Sequence, residues 1–191
     1  METRKICYKD YHEKDPQRYP FFRYHPDPIA NGVFVESDIP RVCQCCGKQD
    51  TLICEGPFYI DEELEHVCPE CIASGRAAEK YDMEYCEISK KERIPDDEKT
   101  EELLHHSPGY YSWNGGTWLS CCEDYCIYEG QFFYDELAEK GLLEELRNSS
   151  DWTDSGYEDF EETLRNRWIQ LHLFTCPHCG KHRFYIDEFF D

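Results

Sequence analysis

The chain has 191 residues, and its 41 Asp and Glu against 20 Lys and Arg give a formal net charge of −21. This charge argues against direct binding to nucleic acid, because the phosphate groups would be repelled. Aromatic residues make up 15% of the chain, which is more than a disordered chain carries, so we expect a folded protein. No stretch approaches the roughly 20 apolar residues that span a bilayer, and the N-terminus lacks the apolar core of an export signal. We therefore expect a cytoplasmic protein with no membrane partner.

The 13 cysteines are the dominant chemical feature of the sequence. Thiols stay reduced in the cytoplasm, so this number indicates metal binding rather than disulfide bonds. The number is also odd, which would leave at least one thiol unpaired in any disulfide scheme. We interpret the chain as an α+β protein built from small zinc-stabilised modules, with a mobile arm over 1–20, a first module over 21–95 and a second module over 96–191.

The first module opens with FFRYHPDPIANG, which starts at residue 21. Pro26 and Pro28 disfavour a helix and favour an extended, turning segment. His25 and Asp27 flank Pro26 and could serve as a base and its orienting carboxylate, which gives the alternative hypothesis of an enzyme of unknown reaction. No nucleophile is evident beside them. We therefore expect these two side chains to hold the N-terminal segment onto the module by hydrogen bonds.

The first half of the chain contains two cysteine pairs. Cys43 with Cys46, and Cys68 with Cys71, form CxxC pairs about twenty residues apart, a spacing typical of a tetrahedral zinc site with four thiolate ligands. Cys45 complicates the assignment. Pairing it with Cys46 leaves no workable loop, but its participation stays open.

The residues between and after these pairs predict two further elements. TLICEGPFYI, from residue 51, has short apolar runs on either side of Glu55-Gly56-Pro57 and predicts a β-hairpin. IASGRAAEKY, which directly follows the second pair, predicts a short helix broken or bent at Gly75. A knuckle, a hairpin and a helix whose first turn supplies two ligands together predict a treble-clef-like zinc module.

The second module begins after a charged segment. Residues 87–106 link the two modules in this interpretation and predict a short helix after Pro95. Residues 132–147 predict a helix with its leucines roughly on one face, in which Gly141 is a weak point. Residues 157–166 predict a second, acidic helix.

Two surface features of the second module have alternative interpretations. The acidic run over 136–162 is typical of a solvated face, but it also suits a surface that meets a basic protein partner. The aromatic residues around Gly115-Gly116, among them Trp113 and Trp118, could form a binding platform. A small zinc module relies on aromatic burial, so an aromatic core is the interpretation that we favour.

The C-terminal region predicts a second zinc knuckle. Cys176 and Cys179 form a CxxC pair between two alternating apolar segments, which predicts a β-hairpin over 168–190 with the knuckle at its tip. Three nearby histidines could replace a cysteine ligand, although exposed strand positions are expected for them: His172, His178 and His182.

The other two ligands of the second site must come from elsewhere in the chain. The nearest supply is CCEDYC at 121–126. Cys126 is the first choice, and the fourth ligand is Cys122 or Cys121. Four protein ligands at each site would leave no open coordination position, whereas a catalytic zinc ion usually keeps one. This argues against a zinc hydrolase.

Four segments resemble the CbrC-like family of small bacterial proteins, a family without an established activity that is associated by name with colicin tolerance. They are FRYHPDP at 22–28, CPECIASGRAAEKYD at 68–82, SPGYYSWNGGTWLSCCEDYC at 107–126 and CPHCGKHRFYID at 176–187. The resemblance implies a soluble bacterial protein. Because the position of Cys121 is more often His in that family, it also implies Cys122 and Cys126 as the second pair.

These observations lead to one functional hypothesis. We expect a non-enzymatic zinc-binding interaction protein that holds two Zn²⁺, with a basic protein as partner and, from the resemblance, a role in tolerance to a bacterial toxin such as a colicin. The predicted ligands are Cys43, Cys46, Cys68 and Cys71 at the first site, and Cys122, Cys126, Cys176 and Cys179 at the second.

Overall fold

The structure is a computed structural model, and it describes residues 19–60, 63–165 and 169–188. Nearly all of the arm predicted over 1–20 lies outside these residues. Within them the fold mixes short helices with small antiparallel sheets. The predicted division between modules near residue 95 stays a prediction.

Seven strands form three small sheets in the described residues. They are β1 (Phe34–Val42), β2 (Gln49–Cys54), β3 (Ser120–Cys121), β4 (Asp124–Tyr125), β5 (Ile127–Phe132), β6 (Ile169–Thr175) and β7 (His182–Glu188). β1 pairs with β2, β3 pairs with β4, and β5, β6 and β7 lie side by side in that order, every pair antiparallel. The two longer hairpins, β1–β2 and β6–β7, each carry a CxxC pair at the tip.

Seven short helices accompany these sheets in the same residues. They are α1 (Pro69–Ala73), α2 (Arg76–Tyr81), α3 (Asp97–His106), α4 (Tyr134–Glu139), α5 (Leu143–Arg147), α6 (Ser150–Thr153) and α7 (Phe160–Arg165). The Asp96 side chain accepts a hydrogen bond from the Lys99 N–H and caps the start of α3. The helix predicted after Pro95 is thereby confirmed. No helix in the described ranges is long and apolar enough to cross a membrane.

The hairpin predicted over the last cysteine pair is also confirmed. β6 and β7 pair in continuous register from Ile169 opposite Glu188 to Thr175 opposite His182. The helix predicted after Cys71 forms as α1 and α2, which are separated at Gly75, where φ is +71°. This left-handed conformation costs glycine little and ends the first helical segment.

The helix predicted over 132–147 is instead two helices. α4 and α5 are separated at Gly141, whose φ is +72°. A residue in the left-handed region cannot continue the helix, and glycine adopts that region without steric cost. The weak point in the sequence is therefore the end of the first helix.

The β-hairpin predicted around Glu55-Gly56-Pro57 does not form. β2 pairs with β1 instead, with Cys54 opposite Phe34. Beyond Pro57 the chain leaves the sheet, and Tyr59 makes an isolated bridge with Glu84. Proline has no backbone N–H to donate, so it is a poor member of a two-stranded ladder.

The buried side chains form three clusters. The first lies beneath β1, β2, α1 and α2 and includes Phe22. The second joins Tyr24 of the N-terminal segment to Trp118 and Phe174. The third packs α4 to α7 against β6 and β7. Trp118 and Tyr110 are buried, whereas Trp113 and Tyr111 are exposed, so the predicted aromatic core forms from only half of these residues.

Candidate metal centres

The two CxxC knuckles have the same local backbone. The Gly47 N–H donates to the Cys43 carbonyl at 2.8 Å, and the Gly180 N–H donates to the Cys176 carbonyl at 3.0 Å. The two glycines have φ of +75° and +70°, a region that favours glycine. Both knuckles share the pattern C-x-x-C-G-K. The same short sequence therefore builds the same turn at two places in the molecule.

The first group of sulfurs consists of Cys43, Cys46, Cys68 and Cys71, all within 4.8 Å of one another. The Cys43 sulfur lies 3.9 Å from the Cys71 sulfur, and the Cys46 sulfur lies 3.8 Å from the Cys68 sulfur. The backbone N–H of Cys68 donates to the Cys43 sulfur at 3.2 Å. All four are residues that the sequence predicts for the first site.

The start of α1 delivers the second pair of this group. Cys68 is the N-cap residue with extended backbone, and Pro69 occupies the first helical position, where its fixed φ fits the helix. Cys71 then lies one turn inside the helix. The Gln44 side chain accepts hydrogen bonds from the N–H groups of Glu65 and His66, at 2.7 and 3.0 Å. The knuckle is thus tied to the segment that leads into the helix.

The second group of sulfurs consists of Cys121, Cys122, Cys176 and Cys179, again within 4.8 Å of one another. The Cys121 sulfur lies 3.8 Å from the sulfurs of both Cys122 and Cys179. Cys176 is buried, Cys121 is half-buried, and Cys122 and Cys179 are exposed. This group lies nearer the surface than the first.

Two adjacent cysteines reach this group because β3 and β4 are joined by a two-residue turn. Cys122 and Glu123 form the turn with φ of +55° and +57°, as in the type I′ turns of tight hairpins. For residues with a Cβ, this left-handed backbone costs on the order of 1 kcal/mol each. Neighbouring contacts must therefore hold the turn in place.

Cys126 lies outside the second group, contrary to the prediction that pairs it with Cys122. It is fully buried in the second cluster, and its backbone carbonyl accepts a hydrogen bond from Trp118 Nε1 at 2.8 Å. The two-residue turn brings Cys121 beside Cys122, whereas residue 126 lies beyond β4 on the core side. Cys45 is likewise outside the first group.

A buried carboxylate holds one end of the turn. Asp124 accepts hydrogen bonds from Arg23 Nη2 at 2.7 Å and from the Tyr24 hydroxyl at 3.0 Å. His178 Nε2 lies 2.8 Å and Lys99 Nζ lies 3.4 Å from the same carboxylate. Burial raises the pKa of Asp124, but the hydrogen bond with His178 and the charge of Arg23 outweigh it and lower the pKa below its usual value. The group is therefore an ionised anchor.

A half-buried guanidinium holds the other end. Arg183 Nη1 donates to the Ser120 carbonyl at 2.6 Å, and Arg183 Nη2 donates to Glu92 at 3.0 Å and to Asp151 at 2.9 Å. The Ser120 N–H donates to Glu92 at 2.7 Å. Asp151 belongs to the predicted acidic run, yet its carboxylate is buried against Arg183. Ser120 directly precedes Cys121, so this network fixes the strand that leads into the turn.

The knuckle thiols are also polarised by backbone donors. The Lys181 N–H bonds to the Cys179 sulfur and lowers the pKa of that thiol to about 7. Burial alone would raise the pKa of Cys46, but the Lys48 N–H and neighbouring thiols lower it to about 7. Metal ions bind the thiolate form, so both knuckles favour coordination near neutral pH.

His25 and Asp27 lie apart from both groups. His25 is fully buried, with its Nδ1 at 3.1 Å from the Pro108 carbonyl and its Nε2 at 3.1 Å from Asn31 Nδ2. Burial lowers the pKa of His25 to about 4. One Asp27 oxygen accepts from the Ala30 N–H at 3.2 Å. Both residues thus make the kind of structural hydrogen bonds that the sequence analysis favours over a catalytic pair.

The donor sets fit a zinc ion. Four thiolates at a Zn–S distance of about 2.3 Å form a tetrahedron whose edges are about 3.8 Å long. The four sulfur–sulfur distances given above are 3.8 to 3.9 Å, far longer than the roughly 2.05 Å of a disulfide bond. Both groups are therefore suited to a tetrahedral metal ion.

A chain of short helices and small sheets with two such four-cysteine groups defines a class of candidate zinc proteins. Residues 19–188 match the family described as "Uncharacterised protein family (UPF0167)", and the chain belongs to this family. A UPF0167 protein of Mycobacterium bovis and one of Mycobacterium tuberculosis are each 37% identical over 181 residues, which cover 90% of this chain and 95% of the relative. A UPF0167 protein of Pseudomonas aeruginosa is 31% identical over 175 residues, or 88% of this chain and 96% of the relative. No solved structure gives a significant match.

Proposed function

We propose that this protein holds two structural zinc ions, one in each four-cysteine group, and acts by binding another protein rather than by catalysis. The observation that carries the metal assignment is the sulfur spacing of 3.8 to 3.9 Å in both groups, the edge length of a zinc–thiolate tetrahedron. Each group offers four protein ligands, as structural zinc sites do, whereas catalytic sites keep one position for water.

We further propose a treble-clef-like arrangement for the first centre. The support is a knuckle at the tip of β1–β2, followed by α1, whose first turn carries Cys68 and Cys71. The hairpin that usually stands between these two parts is replaced here by the pairing of β2 with β1. The zinc ion would join the hairpin to the helix, and so contribute directly to the stability of the first core.

Elemental analysis of the full-length protein, purified without chelator, tests the metal assignment. We expect about two zinc ions per chain, by the rule of four thiolates to one tetrahedral ion. A matched variant, Cys45→Ser, removes a neighbouring thiol that is outside the first group and should keep both ions. Protein without zinc would overturn the proposal, and a value near one would remove one centre.

A basic protein is the partner that we propose. The support is the net charge of −21 and the exposed acidic residues on α4 to α7 and their connections, Glu139, Glu158 and Glu162 among them. Charged surfaces of this kind steer an oppositely charged partner and are screened by salt. A nuclease toxin is basic, so a role in tolerance to a toxin such as a colicin would fit this surface.

A pair of charge-reversed variants tests the partner. Glu139→Lys, Glu158→Lys and Glu162→Lys together should slow association with a basic toxin domain at least tenfold at low salt, as measured by surface plasmon resonance. The control reverses three exposed acids elsewhere, Asp38, Glu79 and Glu98, with the same change in net charge. Equal effects of the two triple variants would reduce the acidic run to a solubilising surface.

A further inference from the structure

The thiols of the two centres differ in their access to solvent. In the first group Cys43, Cys68 and Cys71 are at most 2% exposed, and Cys46 is half-buried. In the second group Cys122 and Cys179 are both exposed. A small reagent in solution therefore meets the second centre first.

Cys122 opens onto a cavity of about 430 Å³. The other residues that line it are Pro95, Asp96, Lys99, Glu123 and His178. Lys99 and His178 lie on this wall but are held by the Asp124 carboxylate, at 3.4 and 2.8 Å. The space exceeds that of a hydroperoxide many times over, and the thiol forms part of its wall. Solvent access and a sulfur nucleophile thus occur together at this one position.

We propose that Cys122 is a modification site for small hydroperoxides, with Cys179 as its partner thiol. This inference rests on the proposed zinc occupancy of the second group. The Cys122 thiolate attacks one peroxide oxygen, an S–O bond forms, and the O–O bond breaks. Hydroxide leaves and is protonated to water. Cys122 becomes a sulfenic acid and has lost two electrons, which the peroxide has gained.

The second step closes a disulfide. The Cys179 thiolate attacks the Cys122 sulfur, the S–S bond forms, and the S–O bond breaks to release a second hydroxide. In sum, two thiolates, one hydrogen peroxide and two protons give one disulfide and two waters. The group then retains only two of its four thiolates, so its affinity for zinc falls.

Geometry selects Cys179 over the nearer neighbours of Cys122. The Cα atoms of adjacent residues are about 3.8 Å apart, below the range of roughly 4.4–6.8 Å for disulfide-bonded residues, which disfavours a bond between Cys122 and Cys121. Cys176 is buried. Cys179 is exposed, and its sulfur lies within 4.8 Å of the Cys122 sulfur.

The test titrates zinc-loaded, full-length protein with hydrogen peroxide in the presence of a chromogenic zinc chelator. We expect one of the two zinc ions to leave at a peroxide concentration at least tenfold below that needed for the other. Mass spectrometry after blocking of free thiols should find the Cys122–Cys179 disulfide, with the first-group thiols still reduced. Dimedone added during the reaction should label Cys122 of the wild-type protein.

Two variants sharpen this experiment. Cys179→Ser should accumulate dimedone-labelled Cys122, whereas the matched control Cys126→Ala should behave as the wild type. If Cys179→Ser does not fold, dimedone labelling of the wild-type protein tests whether Cys122 forms a sulfenic acid. Labelling of a first-group cysteine before Cys122, or release of both ions together, would overturn this inference alone. Fewer than two zinc ions before peroxide is added would overturn the proposed function as well.

Discussion

The two cysteine groups begin with the same knuckle and are completed by different means. At the first group, a short helix starts at Cys68 and supplies both remaining sulfurs from one turn. At the second, a two-residue turn with left-handed backbone supplies two adjacent sulfurs, Cys121 and Cys122. The first arrangement is locally favourable, and the second is locally strained.

The difference lies in what stabilises each centre. Proline at the first helical position favours the start of α1 locally, and Ile72 packs it into the first cluster. The β3–β4 turn depends on Asp124 and Arg183, which bind groups from four other parts of the chain. The comparison indicates that the second centre depends more on tertiary contacts than the first, whose helix start is favoured by its local sequence.

Loss of a ligand at the first centre should have the largest effect. A structural zinc ion contributes on the order of 10 kcal/mol to the folding of finger peptides, which is comparable to the total stability of a domain. Cys71→Ser should therefore unfold the first core and lower the zinc content by one ion per chain. Circular dichroism and elemental analysis measure this. Cys45→Ser is the control and should change stability by no more than about 0.5 kcal/mol.

The second centre should distinguish Cys121 from Cys126. Cys121→Ser should lower the zinc content from two ions to one, because its sulfur belongs to the second group. Cys126→Ala should keep both ions and lose only about 1 kcal/mol of stability through weaker packing. Zinc analysis and urea unfolding of the two variants provide the comparison. Loss of zinc from Cys126→Ala alone would reverse the ligand assignment.

Asp124 should matter more than the exposed acid beside it. Asp124→Asn leaves Arg23 and Lys99, both about a quarter exposed, without their buried anion. We expect a loss of about 2 kcal/mol, less than for a fully buried pair. Glu123→Gln is the matched control and should be nearly neutral. If the two variants unfold at the same urea concentration, the turn does not depend on the Asp124 contacts.

The aromatic core around Trp118 and Tyr128 should respond to pH through His25, which packs against both rings. Its pKa in the folded protein is about 4, compared with 6.5 for an ordinary histidine. Between these values the unfolded chain binds the proton and the folded chain does not. His25 should therefore contribute a loss of about 1.4 kcal/mol of stability per pH unit as the pH is lowered from 6.5 towards 4, and the buried His172, whose pKa burial lowers to about 3, acts in the same direction.

His25→Gln removes this proton and should flatten the pH dependence by that amount, as measured by urea unfolding at pH 7 and 5. Thiolate protonation affects the wild type and His25→Gln equally. The difference between their pH slopes therefore measures the contribution of His25. His105→Gln, on the surface of α3, serves as the control. An unchanged slope for His25→Gln would place the proton uptake elsewhere.

Much of the fold could be predicted because the signals are local. Pro95 followed by Asp96 marks the start of α3, and alternating apolar residues around Cys176 mark the β6–β7 hairpin. Gly75 and Gly141 mark helix ends through their backbone freedom. The hairpin predicted around Pro57 was wrong. Two neighbouring apolar runs do not show which strand each will pair with, and β2 pairs with β1 instead.

The candidate metal centres also differ in whether local sequence or distant contacts determine them. The two knuckles and the CPEC segment carry CxxC spacings that identify six of the eight group cysteines. The choice of Cys121 over Cys126 depends on a two-residue turn formed by Cys122 and Glu123, which lacks the glycine or asparagine that usually marks such turns. The roles of Asp124 and Arg183 depend on partners far away in the chain, although each lies within four residues of a group cysteine.

The contact between Tyr24 and Asp124 also bears on how the chain is made. These residues are 100 positions apart, and a ribosome adds about 5–20 residues per second. Roughly 5–20 s therefore pass between the synthesis of Tyr24 and that of Asp124, whose carboxylate accepts the hydrogen bond from the Tyr24 hydroxyl. Throughout this interval an aromatic side chain destined for the core remains uncovered on the nascent chain. Phe22 can pack into the first cluster earlier, so Tyr24 is the part of this segment that docks last and that a holding chaperone can reach longest.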